Sequence, residues 1–226
     1  MTHTIIHVMR HGEVDNPDGV LYGRLRGYSL SDLGKQMAQA GADYLANEGA
    51  DIAEVVASPL LRAQQTARPT ALAYGLEVGC DTRLIEAGSH LEGMRIHADR
   101  AQLYNPRWWG YFVNPLRPSW GEPYRDQAKR MCAAVSASLA RVPGREALLV
   151  SHQLPIWMLR SFAEGRVLAH NPRKRICSLG SITSLHFEGT TLMGIDYVEP
   201  SAHLLGLAAD ISPGESNAAV NYGNED

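Results

Sequence analysis

The chain has 226 residues, 21 Lys and Arg against 24 Asp and Glu, a formal net charge of −3 and 45% apolar residues. One domain with its own core is the expectation at this length. The charge balance argues against a nucleic-acid surface, and no apolar run approaches the ~20 residues a transmembrane helix needs.

Residues 4–9 (TIIHVM) are rich in β-branched side chains and read as a strand. A loop rich in Gly, Pro and Asn covers 12–27. Ser31 and Asp32 then offer a cap for a helix over 33–47. Residues 53–57 (AEVVA) form a second strand closed by Ser58-Pro59, and 60–73 has helical character that Pro69 is expected to interrupt or kink. A short strand over 76–80, a helix over 123–142 and a buried strand over 147–150 follow. A helix over 154–164 carries Pro155 in its first turn. Strands over 182–187 and 192–197 meet through Glu188-Gly189 as a hairpin.

Apolar strands alternating with helices predict an α/β fold: a three-layer α/β/α arrangement with a mostly parallel central sheet. Between Tyr104 and Tyr124, aromatic residues crowd among Pro106, Pro115 and Pro118. This irregular, aromatic-rich cap insertion, about 93–124, is either packed on itself or walls a pocket. The domain spans 1–199, and 200–226 reads as a C-terminal tail that is partly flexible.

Two His and an Arg within the first ten residues leave no apolar signal stretch. The odd set Cys80, Cys132 and Cys177 forms no C-x-x-C pair, so the cysteines read as reduced, buried thiols of a cytoplasmic protein.

Nucleotide-loop, zinc-protease and serine-elbow motifs are missing from the sequence. A cysteine phosphatase loop would need Arg six residues after a Cys, where Glu86, Ser138 and Thr183 stand instead. His3, His7 and His11 would share a helix face and could hold a metal. On a strand, at ~3.4 Å per residue, they spread too far apart.

What remains gathers at strand ends. Arg10-His11-Gly12-Glu13 follows the first strand, Ser58-Pro59-Leu60-Leu61-Arg62 the second, and Ser151-His152-Gln153 the strand over 147–150. Ligands of parallel α/β sheets bind at such carboxyl ends. Two Arg, two His and helix starts near Leu60 and Gln153 make a pocket for a dianion, and phosphate fits it.

These blocks, in this order, resemble the histidine phosphatase superfamily, its phosphoglycerate mutase-like branch, over about residues 4–197. Arg10-His11-Gly12-Glu13 is similar to the signature. Ser58-Pro59-Leu60 with Arg62-Ala63 and Gln65-Thr66-Ala67 is similar to the second block, and Val150-Ser151-His152 to the third. The resemblance implies that His11 is the phosphorylated nucleophile, and that Arg10, Arg62 and His152 bind the phosphoryl group, His152 as imidazolium. It also implies that Glu86, in Leu84-Ile85-Glu86, is the proton donor, and that Asn16 and Arg24 touch substrate. Gln153 joins them as a substrate-binding residue.

The spacing from Glu86 to Glu92-Gly93 is one residue shorter than the family pattern, so Glu92 reads as a structural or rim carboxylate first and as a fallback acid second. The loop over 22–27 lacks the Gly-Trp and Asp typical of mutases, and paired arginines are not evident near 104–109. The expectation is therefore a phosphatase that needs no metal or cofactor and takes a small-molecule phosphate ester or inorganic phosphate. It excludes nucleic-acid and membrane partners. A primed phosphoglycerate or phosphosugar mutase and a non-catalytic phospho-ligand module are the alternatives. Arg173-Lys174-Arg175 reads as a solvated loop, or as a basic rim for an anionic substrate.

Overall fold

The computed structural model describes residues 2–95 and 121–208. The expected cap lies, from 96 to 120, outside the described residues, as does the tail beyond 208. Strands β1 (His3–Arg10), β2 (Ile52–Ala57), β3 (Val78–Cys80), β4 (Glu146–Ser151), β5 (Ile182–Glu188) and β6 (Thr191–Val198) form one sheet in the order β3-β2-β4-β1-β5-β6. The first four run parallel, and β5 and β6 are antiparallel additions at one edge. Helices α1 (Asp32–Asn47), α2 (Leu61–Ala73), α3 (Tyr124–Arg141), α4 (Gln153–Ala163) and α5 (Ala202–Leu205) complete the described elements.

Successive strand side chains point to opposite faces, so strands covered on both sides must be apolar throughout. Ile6, Val8, Ala147 and Leu149 pack with Met131 and Val135 of α3 and Ile156 and Leu159 of α4. Met9, Val55, Leu148 and Val150 pack on the other face with Leu45 of α1 and Ala63, Ala67 and Ala71 of α2. The mixed α/β architecture with a mostly parallel sheet is thus the one expected. Ser31 caps α1, its Oγ accepting from the Gly34 amide. Gly189 turns the β5–β6 hairpin with φ of 59°.

Two local expectations differ. Pro69 does not interrupt α2, which runs on to Ala73, because Ala63, Ala67 and Ala71 on either side of it are held against the sheet. Cys80 is exposed and Cys132 half-buried, leaving Cys177 as the buried thiol; Cys80 ends β3, the edge strand of the sheet among the described residues. Secondary structure also continues past residue 199, into the start of the expected tail. Ser201 is buried, its Oγ donating to the Leu179 carbonyl at 2.9 Å, and α5 follows. A single helical turn is too short to show periodicity in sequence. Among the described residues no helix is long and apolar enough to cross a membrane.

Candidate active site

Sheet register assembles the site. β4 lies between β2 and β1, with Ala57 opposite Val150 and Arg10 opposite Ser151. The Ser58 amide donates to the Val150 carbonyl at 2.9 Å, and the His11 amide to the Ser151 carbonyl at 3.2 Å. Residues 11, 58 and 152 therefore leave the sheet side by side. The rings of His11 and His152 meet edge to face, 5.1 Å between centroids.

His11 Nδ1 lies 2.7 Å from the Gly12 carbonyl. A carbonyl only accepts, so Nδ1 carries the proton and Nε2 keeps its lone pair. Gly12 is required by a close approach: a Cβ there would overlap the Gly34 carbonyl, and one on Gly34 would overlap the Glu13 carbonyl. The Ser31 hydroxyl donates to Glu13 while capping α1. On the other side, the Gly12 amide donates to Thr66 Oγ1 at 3.2 Å, and Thr66 donates to the Arg62 carbonyl at 2.7 Å. The loop bearing His11 is thus pinned between α1 and α2.

Arg10 and Arg62 are both buried. Arg10 Nη1 donates to the Cys177 carbonyl at 2.6 Å. Arg62 Nη2 donates to the Gly23 carbonyl at 2.6 Å, and its guanidinium lies 4.6 Å from the Tyr22 ring centre. Neither N-cap residue, Leu60 of α2 nor His152 of α4, supplies a side-chain cap. Both helix starts therefore present amide donors and a positive dipole end.

Burial and the cationic surroundings together shift the two histidines. Burial first, then the charges of Arg62 and Arg10, hold His11 well below its ordinary 6.5. Burial, followed by Arg62, His11, Arg130 and Arg10, does the same to His152. Both rings are therefore biased toward the neutral form. His152 Nε2 meets Ser58 Oγ at 2.8 Å, and its buried Nδ1 has no hydrogen-bond partner among the described residues.

Glu86 follows a 3-10 turn over Thr82–Leu84. Ser151 Oγ donates to the Leu84 carbonyl at 2.7 Å, which ties this segment to the end of β4. Burial pushes the Glu86 carboxyl up from its ordinary 4.5, against the pull of the Ala87 amide, Arg62, Arg10 and Arg130. Glu86, His11 and His152 thus all lie within the field of Arg10 and Arg62.

The remaining expected residues stand elsewhere in the network. Asn16 spends both ends of its amide on Val20, at 2.9 and 3.1 Å, and so closes its own loop. Arg24 is a brace: its Nε donates to the Glu86 carbonyl at 2.7 Å and its Nη2 to Glu122 at 2.8 Å. Glu92 accepts from the Arg24 and Ser89 amides, at 3.0 and 3.3 Å, as a loop anchor. Gln153 Oε1 faces Arg175 Nη1 at 3.5 Å.

Several participants escaped the sequence reading. Tyr22 and the Gly23 and Cys177 carbonyls hold the two guanidinium groups, and carbonyls carry no signal in side-chain identity; Ser58, read only as part of a strand-end block, holds the His152 ring. Arg130, doubly bonded to Glu122 at 2.8 and 3.0 Å and donating to the Arg83 carbonyl at 2.6 Å, sits mid-helix outside any motif.

Comparison with known proteins places the chain among its relatives. A protein of Mycobacterium tuberculosis, Rv0525, is 48% identical over 199 residues, 88% of this chain and 98% of its own. A Yersinia pestis protein named as a probable phosphoglycerate mutase, GpmB, is 32% identical over 78% of this chain and 83% of its own. The solved mycobacterial glucosyl-3-phosphoglycerate phosphatase Rv2419c superposes with a TM-score of 0.66 and 27% identity over 81% of this chain and 90% of its own. That protein is also known in complexes with inorganic phosphate and with VO3. The family description that matches residues 6–194 is the histidine phosphatase superfamily (branch 1), and the chain belongs to that superfamily.

Proposed function

We propose that the protein is a phosphatase that hydrolyses a small-molecule phosphomonoester through a phosphohistidine on His11. The observation that carries this reading is the His11 tautomer. With Nδ1 committed to the Gly12 carbonyl, Nε2 is a free nucleophile beside two guanidinium groups.

In the first step Nε2 attacks phosphorus and the bond to the leaving oxygen breaks. Arg10, Arg62 and the two helix starts meet the charge on the equatorial oxygens. With the Ser58 hydroxyl donating to Nε2 of His152, that ring keeps its proton on Nδ1 and offers it to a phosphoryl oxygen. The raised Glu86 carboxyl is the proton source for the leaving alkoxide. In the second step the Glu86 carboxylate takes a proton from water, the water oxygen attacks phosphorus, and the P–N bond breaks. Inorganic phosphate departs and His11 is restored. Positive charge comes from side chains, so turnover is expected to survive EDTA.

The test is phosphate release from p-nitrophenyl phosphate, with trapping of an acid-labile, base-stable phosphoprotein. His11→Ala should lose both signals; a variant that keeps full turnover refutes the nucleophile. The GpmB relationship supports a second reading, a primed mutase. Phosphoryl transfer to a phosphoglycerate acceptor that depends on added bisphosphate, exceeding transfer to water, would favour it.

A further inference from the structure

Beside the phosphate clamp lies a second polar cluster that hydrolysis as derived above does not use. Arg175 follows a 3-10 turn over Pro172–Lys174 and returns toward α4. Its Nε donates to His170 Nε2 at 2.8 Å, and its Nη1 faces Gln153 Oε1 at 3.5 Å. His170 Nδ1 donates to the Leu168 carbonyl at 2.7 Å, so its Nε2 is an acceptor and the ring is neutral. Burial, with Arg175 beside it, keeps the His170 pKa low. The His170 ring packs 5.2 Å from Tyr124 and 5.9 Å from Trp157.

Arg175 is therefore held by neutral groups. Among the described residues no carboxylate comes within ion-pair distance of it, whereas Arg130 has Glu122 and Arg160 has Glu164. Enclosing a guanidinium without a counter-charge is costly, and such groups are normally paired. Two further donors are left over nearby. Arg175 can only donate, so Oε1 of Gln153 faces it and Nε2 is turned away. That Nε2 and the indole Nε1 of Trp157 are buried without partners among the described residues. Gln153 and Trp157 stand one turn apart, on the same side of α4. The Trp157 indole can only donate. A guanidinium and two unmatched N–H donors call for an acceptor that carries negative charge. The cluster also lies within the electrostatic reach of Glu86 and Arg10, which joins it to the candidate site.

We propose that Arg175, with Gln153 and Trp157, binds a second anionic group on the alcohol portion of the substrate, a carboxylate or a second phosphate. The substrate class is then a phosphomonoester of an acidic alcohol. This inference rests on the phosphatase reading for its kinetic test, but its binding test stands apart from it.

In the kinetic test, kcat/KM is compared between 3-phosphoglycerate and glycerol 3-phosphate, which differ at the carboxylate. A second comparison sets propane-1,3-diol bisphosphate against the monophosphate of the same diol. The wild type should prefer the acidic member of at least one pair by about ten- to a hundredfold; the carboxylate pair and the bisphosphate pair distinguish the two anion types. Arg175→Gln should abolish the preference through KM, with the neutral esters changed less than threefold. Arg175→Lys should restore part of it, even if the Gln variant folds poorly. In the binding test, His11→Ala is titrated calorimetrically with the same pairs, alone and combined with Arg175→Lys. An equal affinity for both members of each pair, no measurable binding of either, or an equal loss on all esters overturns the inference. Absence of turnover combined with retained selective binding overturns the phosphatase reading instead.

Discussion

Ser58 Oγ sits 2.8 Å from His152 Nε2 and holds the ring whose centroid lies 5.1 Å from that of His11. Ser58 follows β2 and His152 follows β4, so this hydrogen bond also locks two strand ends together. Ser58→Ala leaves the buried Nε2 unmatched and lets the ring turn. A loss of about tenfold in kcat, with the fold intact by circular dichroism, is expected from one buried hydrogen bond. Ser58→Thr, which keeps the hydroxyl, should retain more activity.

The pH profile of kcat/KM follows from two opposed shifts. His11 must be neutral, and its pKa is lowered, so the acid limb falls below pH 6.5. Glu86 must be protonated, and its pKa is raised, so the alkaline limb falls above pH 4.5. Glu86→Gln should remove the alkaline limb and cost about 10²–10⁴-fold in kcat on alkyl phosphates. The cost should shrink on p-nitrophenyl phosphate, whose leaving group needs little protonation. An unchanged alkaline limb would assign the acid elsewhere.

Stability has its own pH dependence. A histidine with a lowered native pKa binds its proton more readily when unfolded, so its contribution is complete above 6.5 and is lost as pH falls through the native value. Glu86 acts in the opposite sense: its contribution is complete below 4.5 and is lost as pH rises through its raised native value. Between pH 6.5 and 4.5, His152→Asn should flatten the fall of Tm on acidification, and Glu86→Gln should steepen it. Differential scanning calorimetry reads both. Saturating inorganic phosphate should raise Tm in the wild type by mass action.

Gly12→Ala and Gly34→Ala each force a methyl group into a backbone carbonyl. Overpacking typically costs about 1–3 kcal/mol, or several degrees in Tm for a chain of this size. Because Gly12 adjoins His11, the proposed nucleophile, Gly12→Ala should also lose most activity at temperatures where it remains folded. Gly49→Ala serves as a contrast: no atom crowds that position, so its cost is confined to its positive φ.

The sheet and the clamp were legible because both follow from local pattern. Apolar runs such as Ala147 to Val150 announce buried parallel strands. Strand ends carrying Arg10, His11, Arg62 and His152 need only correct register to converge. Pro69 misled because helix packing outweighed a local breaker. Cys80 misled because thiols are buried on average, and this one ends an edge strand. Arg24 and Asn16 lie where ligand contacts are expected, and they also make hydrogen bonds within the protein, with partners up to 98 residues away, that no local pattern announces. Arg175 sits in a charge run that reads as solvated. Its hydrogen bond to His170, whose ring packs with Tyr124 and Trp157 from separate segments, reveals it as a held cation.

The strand order carries a consequence for biosynthesis. β1 and β2 are translated early, but they are not neighbours; the slot between them belongs to β4, some ninety residues further along. A ribosome-bound nascent chain therefore lacks a working centre until that central strand threads home. Recovery of turnover during refolding should consequently trail the appearance of α1 and α2, and report the moment the sheet closes.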